Sequence, residues 1–162
     1  MPHSEALSIV DRIARIDVLW DAAHWRNGPR GLELRSEPTR AEDRFEYSDS
    51  AGAAWTAYLD GARVEVVEIC FDLRDDIDED TPTETIEALF DEYSARFDRH
   101  RAALDSRLGP GELIEESEMD GHPVGECAHL AGWRFGKNQV FLALKFEGRD
   151  APMRLCLILA PG

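Results

Sequence analysis

Positive charge is scarce in this chain. Thirty-three Asp and Glu residues face only eighteen Lys and Arg, for a formal net charge of −15, and lysine occurs only at Lys137 and Lys145. Nucleic acid and anionic membranes repel such a surface, so neither is expected as a partner. Basic stripes with interleaved aromatics are missing too, which points the same way. The preference for Arg over Lys fits GC-rich bacterial codon usage and carries no functional weight.

Other absences narrow the field further. No apolar run approaches the roughly 20 residues needed to span a bilayer. The opening Met1-Pro2-His3-Ser4-Glu5 lacks a basic segment followed by an apolar stretch, so no secretory leader is expected. No G-x-G-x-x-G or Walker pattern is present to cradle phosphates. Cysteine is sparse: Cys70, Cys127 and Cys156 are odd in number and widely spaced. Free, buried thiols in a reducing cytosol are the expectation. What remains is a 162-residue chain, 43% apolar and 31% charged, long enough to bury a core without disulfides or metal. Residues 1–162 are read as a single cytoplasmic domain.

Periodicity orders the elements. Ser4 caps a first helix carrying Ile9, Ile13, Ile16 and Trp20 at helical spacing, with a break allowed near Asp17 and a stop at Asn27-Gly28-Pro29. Short strands follow at Gly31 to Ser36 and Arg44 to Ser48. Ala53 to Asp60 and Arg63 to Leu73 predict a hairpin turning at Asp60-Gly61. In its second arm Val64 and Val66 share one parity and Val67, Ile69, Phe71 and Leu73 the other, which predicts a bulge near Val66. Thr81-Pro82-Thr83-Glu84 reads as a capping box opening a long helix. Its apolar stripe is Ile86, Leu89, Phe90, Tyr93, Phe97, Leu104 and Leu108, and Gly109-Pro110 ends it. An acidic connector, Gly111 to Gly125, leads to strands at Leu130 to Phe135, Gln139 to Phe146 and Pro152 to Ala160. The strict alternation of Val140, Leu142, Leu144 and Phe146 predicts one wet face. The continuous run Leu155 to Ala160 predicts a central strand. The fold class is α+β: an antiparallel sheet with an N-terminal helix and one long central helix packed on one side.

No motif names a reaction. Asp76-x-Asp78-x-Asp80 with Glu87 copies part of a calcium-loop spacing, but Thr81 stands where the loop needs Gly and Pro82 follows. Carboxylates before a helix N-terminus are favoured by its dipole, so no metal is expected there. His122, Cys127 and His129 lack the paired spacing of a zinc site and the third group of a nucleophilic triad. His100 falls on the apolar stripe of the long helix, where a partly buried histidine holding a backbone carbonyl is expected. Trp20, Trp25, Trp55 and Trp133 are expected as core and rim anchors. No catalytic residue, cofactor or metal ligand is assigned. Two acidic clusters remain, Asp72 to Asp80 and Glu112 to Asp120. Each reads either as a solvated loop or, if the two converge, as a surface for a basic partner.

The order of elements resembles the small acidic immunity proteins of bacterial polymorphic toxin systems, including uncharacterised families from high-GC bacteria. The likeness rests on the opening helix with Trp20 and Trp25, the hairpin Trp55-Thr56-Ala57-Tyr58-Leu59-Asp60-Gly61 running into Val64 to Leu73, and the closing Gly132-Trp133-Arg134-Phe135 strand with its meander to Pro161. It covers most of the chain as a pattern of elements and brings no catalytic residues. It implies a protein that is not an enzyme, acts as a monomer rather than a homodimer, and binds a cognate, basic toxin domain to block its active site. Asp75, Asp76, Asp78, Glu79, Asp80, Glu115, Glu116 and Glu118 are the expected contact residues. The alternatives are an acidic protein of the secretion-chaperone kind, which would dimerise, and a small enzyme using His100 or the Cys127/His129 neighbourhood.

Overall fold

The last strand of the chain lies near the middle of one antiparallel sheet. The computed structural model describes residues 4–14, 20–26, 28–29, 31–36, 42–121, 124–148 and 151–162. In chain order the elements are α1 (Glu5–Ile13), α2 (Ala22–Arg26), β1 (Arg35–Ser36), β2 (Arg44–Ser48), β3 (Ala54–Asp60), β4 (Arg63–Arg74), α3 (Thr83–Leu108), β5 (Glu112–Leu113), a 3-10 turn (Glu116–Gly121), β6 (His129–Phe135), β7 (Asn138–Phe146) and β8 (Met153–Pro161). The sheet order is β1-β2-β3-β4-β8-β7-β6-β5. Thus β8 bonds to β4 on one side and β7 on the other. Leu155 to Ala160 are all buried, as the continuous apolar run predicts. The architecture is α+β.

Both helices with an apolar stripe cover the same face. Ile9 and Ile13 of α1, and Leu89, Tyr93, Phe97 and Leu104 of α3, pack with Leu142, Leu144, Leu155 and Leu157 in one cluster. Trp25 and Trp55 are fully buried within it, and Trp133 nearly so. Trp20 sits at its rim and donates from Nε1 to Asn138 Oδ1 at 2.9 Å. The opening helix ends at Ile13 and a separate one begins at Ala22. Ile16, Asp17 and Asn27 lie outside the described residues.

The opposite face differs from the expectation. β7 has no wet face: Val140 to Lys145 are all buried. The connector folds back under the sheet, and its Ile114, Met119 and Val124 pack on Phe141, Ala143, Cys156 and Ile158 in a second cluster. Three apolar residues spaced among glutamates carry no period, so the pattern reads as a loop. The connector begins flat on the Trp133 indole. A Cβ at Gly111 would stand 2.3 Å from that ring, which only glycine avoids.

Four local details are corrected by the structure. The hairpin turns at Gly61-Ala62, because Asp60 still pairs with Arg63. Gly61 has φ 63° and Ala62 lacks a positive φ, the arrangement of a type II′ turn. The bulge near Val66 is present at Glu65, which has no partner between the Tyr58↔Val66 and Leu59↔Val64 pairs. It returns Val64 to the helix side with Val67, leaving Val66 on the connector side. A second bulge at Phe71, between Cys70 and Asp72, flips the parity again, so Leu73 is 50% exposed. At the start of α3 the N-cap residue is Pro82, with no side-chain cap hydrogen bond. The Thr81 hydroxyl instead accepts from the Asp78 amide at 3.0 Å and donates to Asp78 Oδ1 at 3.2 Å. The strand expected at Gly31 to Ser36 shrinks to Arg35–Ser36, with Gly31 to Glu33 in a turn.

Candidate functional site

The acidic segments border one end of the sheet, where β4 and β7 finish and β6 and β8 begin. Phe146, the last residue of β7, is half-buried against Phe90 of α3 at a ring separation of 6.3 Å. It divides two depressions. The first is about 350 Å³ and is lined by Thr83, Ile86, Glu87, Phe146, Glu147 and Gly148. The second is about 570 Å³ and is lined by Glu116, Met119, Gly125, Glu126, Cys127, Ala128 and Phe146. Four carboxylates therefore surround one aromatic side chain. Among the described residues Glu87, Glu116 and Glu126 have no ion pair, and Glu147 has Arg154 at 3.5 Å. The site offers an apolar floor with a negative rim.

Of the expected contact residues, Glu116 alone lines the site. Asp75, Asp76, Asp78, Glu79 and Asp80 are exposed on the loop that feeds directly into α3. Asp76 is neutralised by Arg74, whose hydrogen bond holds its carboxyl below the usual range. Asp78 is spent on its own turn, its Oδ1 accepting from the Asp80 amide at 2.9 Å. Glu116 lines the larger depression. Glu115 and Glu118 are exposed on the connector beside it. Glu126 and Glu147 were not singled out in the sequence, and Glu87 only as part of a calcium spacing. The end of β7 was legible, so its next residue Glu147 was within reach. The fold-back that brings Glu126 to Phe146 left no periodic signal. Asp72 leaves the cluster altogether: the Phe71 bulge turns it toward α3, where Tyr93 donates to it at 2.8 Å and Arg96 at 2.7 Å. Among the described residues, no group of three or more His, Cys, Asp or Glu side chains is placed to hold a metal ion.

Two other polar groupings stand apart. A cleft of about 330 Å³ is lined by Ser4, Glu5, Asp72, Arg96, Arg99, His100 and Ala103. His100 bonds there to the Ser4 hydroxyl rather than to a backbone carbonyl, with Nδ1 3.0 Å from Oγ. Glu5 lies 3.8 Å from its Nε2. Ser4 and His100 are each 8% exposed, and Oγ already accepts the Leu7 amide as the helix cap. The pair is built as a fastener between α1 and α3. On the connector face, Glu68 accepts from Lys145 at 2.9 Å and from Arg154 at 3.2 Å. Cys127 and His129 do not meet. His129 turns to the helix side, against Phe97 and 3.1 Å from the Ser94 hydroxyl, while Cys127 packs on the connector side. His122 lies outside the described residues.

No protein-family model, curated protein or solved structure matches this chain. Among the described residues no helix is long and apolar enough to cross a membrane.

Proposed function

We propose that the protein is a cytoplasmic immunity protein, which binds a basic toxin domain and occludes its active site, with no catalysis of its own. The observation that carries this reading is the set of four carboxylates lining the two depressions at Phe146, of which Glu116 belongs to the second acidic segment. A half-exposed aromatic supplies a desolvated anchor, and unpaired charge around it supplies steering and register.

The test is to search the adjoining open reading frame for a toxin-like domain, co-express it with this chain, and measure association kinetics of the purified pair. Rescue of growth by the wild type is expected, and the on-rate should fall about tenfold or more as salt rises across the range where screening becomes strong. Failure to rescue, with no complex formed, would refute the immunity reading. A complex whose on-rate ignores salt would refute the electrostatic part.

A further inference from the structure

Cys70 of β4 and Cys156 of β8 are direct partners in the register of two antiparallel strands, and both lie on the connector side of the sheet. Opposed residues in such a pair have Cα atoms about 4.5 or 5.5 Å apart, and a disulfide accepts about 4.4 to 6.8 Å. The backbone already holds these side chains at bridging distance. Both thiols are free, and the Cys70 thiol donates to the Asp72 carbonyl oxygen at 3.8 Å. The ladder shifts just after Cys70, leaving Phe71 without a partner. A bulged strand bends, which lets the Cβ atoms close from the spacing of a flat pair to that of a disulfide.

We propose that Cys70 and Cys156 form an oxidisable dithiol, which a small peroxide converts into a cross-strand disulfide stapling β4 to β8. The roles follow from the surroundings. The facing Cys156 thiol, and then the Arg154 guanidinium, hold the Cys70 thiol below its ordinary pKa against the opposing effect of burial. Cys70 is also the partly exposed member of the pair, while Cys156 is wholly buried. Cys156 is pushed up by the facing Cys70 thiol and by burial, so it keeps its proton and resolves. Cys127 is a bystander, its thiol pushed by burial up to about 11.

The chemistry balances. The Cys70 thiolate attacks one peroxide oxygen and the O–O bond breaks, giving Cys70 sulfenic acid and a hydroxide that takes a proton to become water. The Cys156 sulfur then attacks the Cys70 sulfur, and the S–O bond breaks as the S–S bond forms. The departing hydroxide leaves as a second water with the Cys156 proton. Two thiols give up two electrons, and one peroxide becomes two waters.

The test treats the folded full-length protein with hydrogen peroxide, then unfolds, alkylates and weighs it. The chain is expected to lose the mass of two hydrogen atoms and to take up one alkyl group, mapped to Cys127, with a thiol reductant restoring all three sites. The Cys127→Ala variant, altered at a partly exposed position, should still lose two hydrogens. In Cys156→Ala, Cys70 should stall as a sulfenic acid and be captured by a cyclic diketone. Three alkylatable cysteines after peroxide, a bridge through Cys127, or oxygen added at Cys70 with Cys156 still free would each overturn the proposal.

Discussion

The Ser4 hydroxyl stands 3.0 Å from Nδ1 of His100, so the cap of the first helix is tied to the middle of α3. Oγ accepts the Leu7 amide, which leaves it a proton and one lone pair with which to meet either tautomer of the neutral imidazole. Protonating His100 would place a charge in this buried junction.

Acid should therefore loosen the junction between the two helices. Burial pushes the His100 pKa below its ordinary value; the carboxylates of Glu5 and Asp72 lift it less, and Arg99 and Arg96 add to the depression. The unfolded chain binds this proton more readily, so the contribution is whole above about pH 6.5 and is lost as pH falls from there through the folded-state pKa. His100→Gln should flatten that part of the curve. Urea midpoints at about pH 7.5 and about pH 5 measure it. Parallel losses in wild type and variant would show that His100 is not the sensor.

Asp49 is expected to be far more costly to remove than the acids of the exposed loops. Its Oδ1 accepts from the amides of Ala51 and Ala53 at 3.0 and 2.9 Å. Its Oδ2 accepts from Arg12 and from the Trp55 indole, both at 3.0 Å. Burial would raise its pKa, but the bonds from Trp55, Ala53 and Arg12 together lower it. Its contribution is thus present above the ordinary carboxylate range and lost as pH falls through the lowered value. Asp49→Ala should cost about 3 kcal/mol by leaving those donors unpaired. Asp80→Ala, on the exposed loop, should stay within about 0.5 kcal/mol. Denaturant melts of the two variants compare them directly.

The Glu68 cluster should respond asymmetrically to truncation. Lys145→Met removes one donor and leaves Glu68 with Arg154 at 3.2 Å, a loss of about 2 kcal/mol. Glu68→Gln leaves Lys145, whose side chain is 8% exposed, beside Arg154 without the anion between them. That change should cost about 3 kcal/mol or more. Equal costs in equilibrium unfolding would mean that Lys145 is not held by Glu68.

Regular period made most of the fold legible. The stripe from Ile86 to Leu104 and the run Leu155 to Ala160 each specify an element and its burial, and the structure places both as read. The parity break in β4 announced the Glu65 bulge. The Phe71 bulge was hidden because Phe71 and Leu73 continue the parity of Ile69, and only the pairing with β8 reveals the extra residue. The connector defeated pattern reading for another reason. Ile114, Met119 and Val124 are buried by tertiary contact alone, with no repeat to signal it. The candidate site inherits that gap: Glu116 is legible as charge, but its position beside Phe146 and Glu126 depends on the fold-back.

Charge reversal should separate steering residues from bystanders. Glu116→Lys and Glu126→Lys place cations on the wall of the larger depression, beside Phe146, where a basic partner would meet like charge. Each should slow association by about tenfold and weaken its salt dependence, with a smaller change in dissociation. Phe146→Ala should instead speed dissociation, since it removes the apolar anchor, but Phe146 also packs on Phe90, so its fold is verified by circular dichroism first. Asp60→Lys provides the control, because Asp60 closes the β3–β4 hairpin at the end of β4 remote from Arg74. It makes the same change in net charge. An equal drop in on-rate for Asp60→Lys and Glu116→Lys would assign steering to the total charge of the molecule and remove the Phe146 rim from the interface.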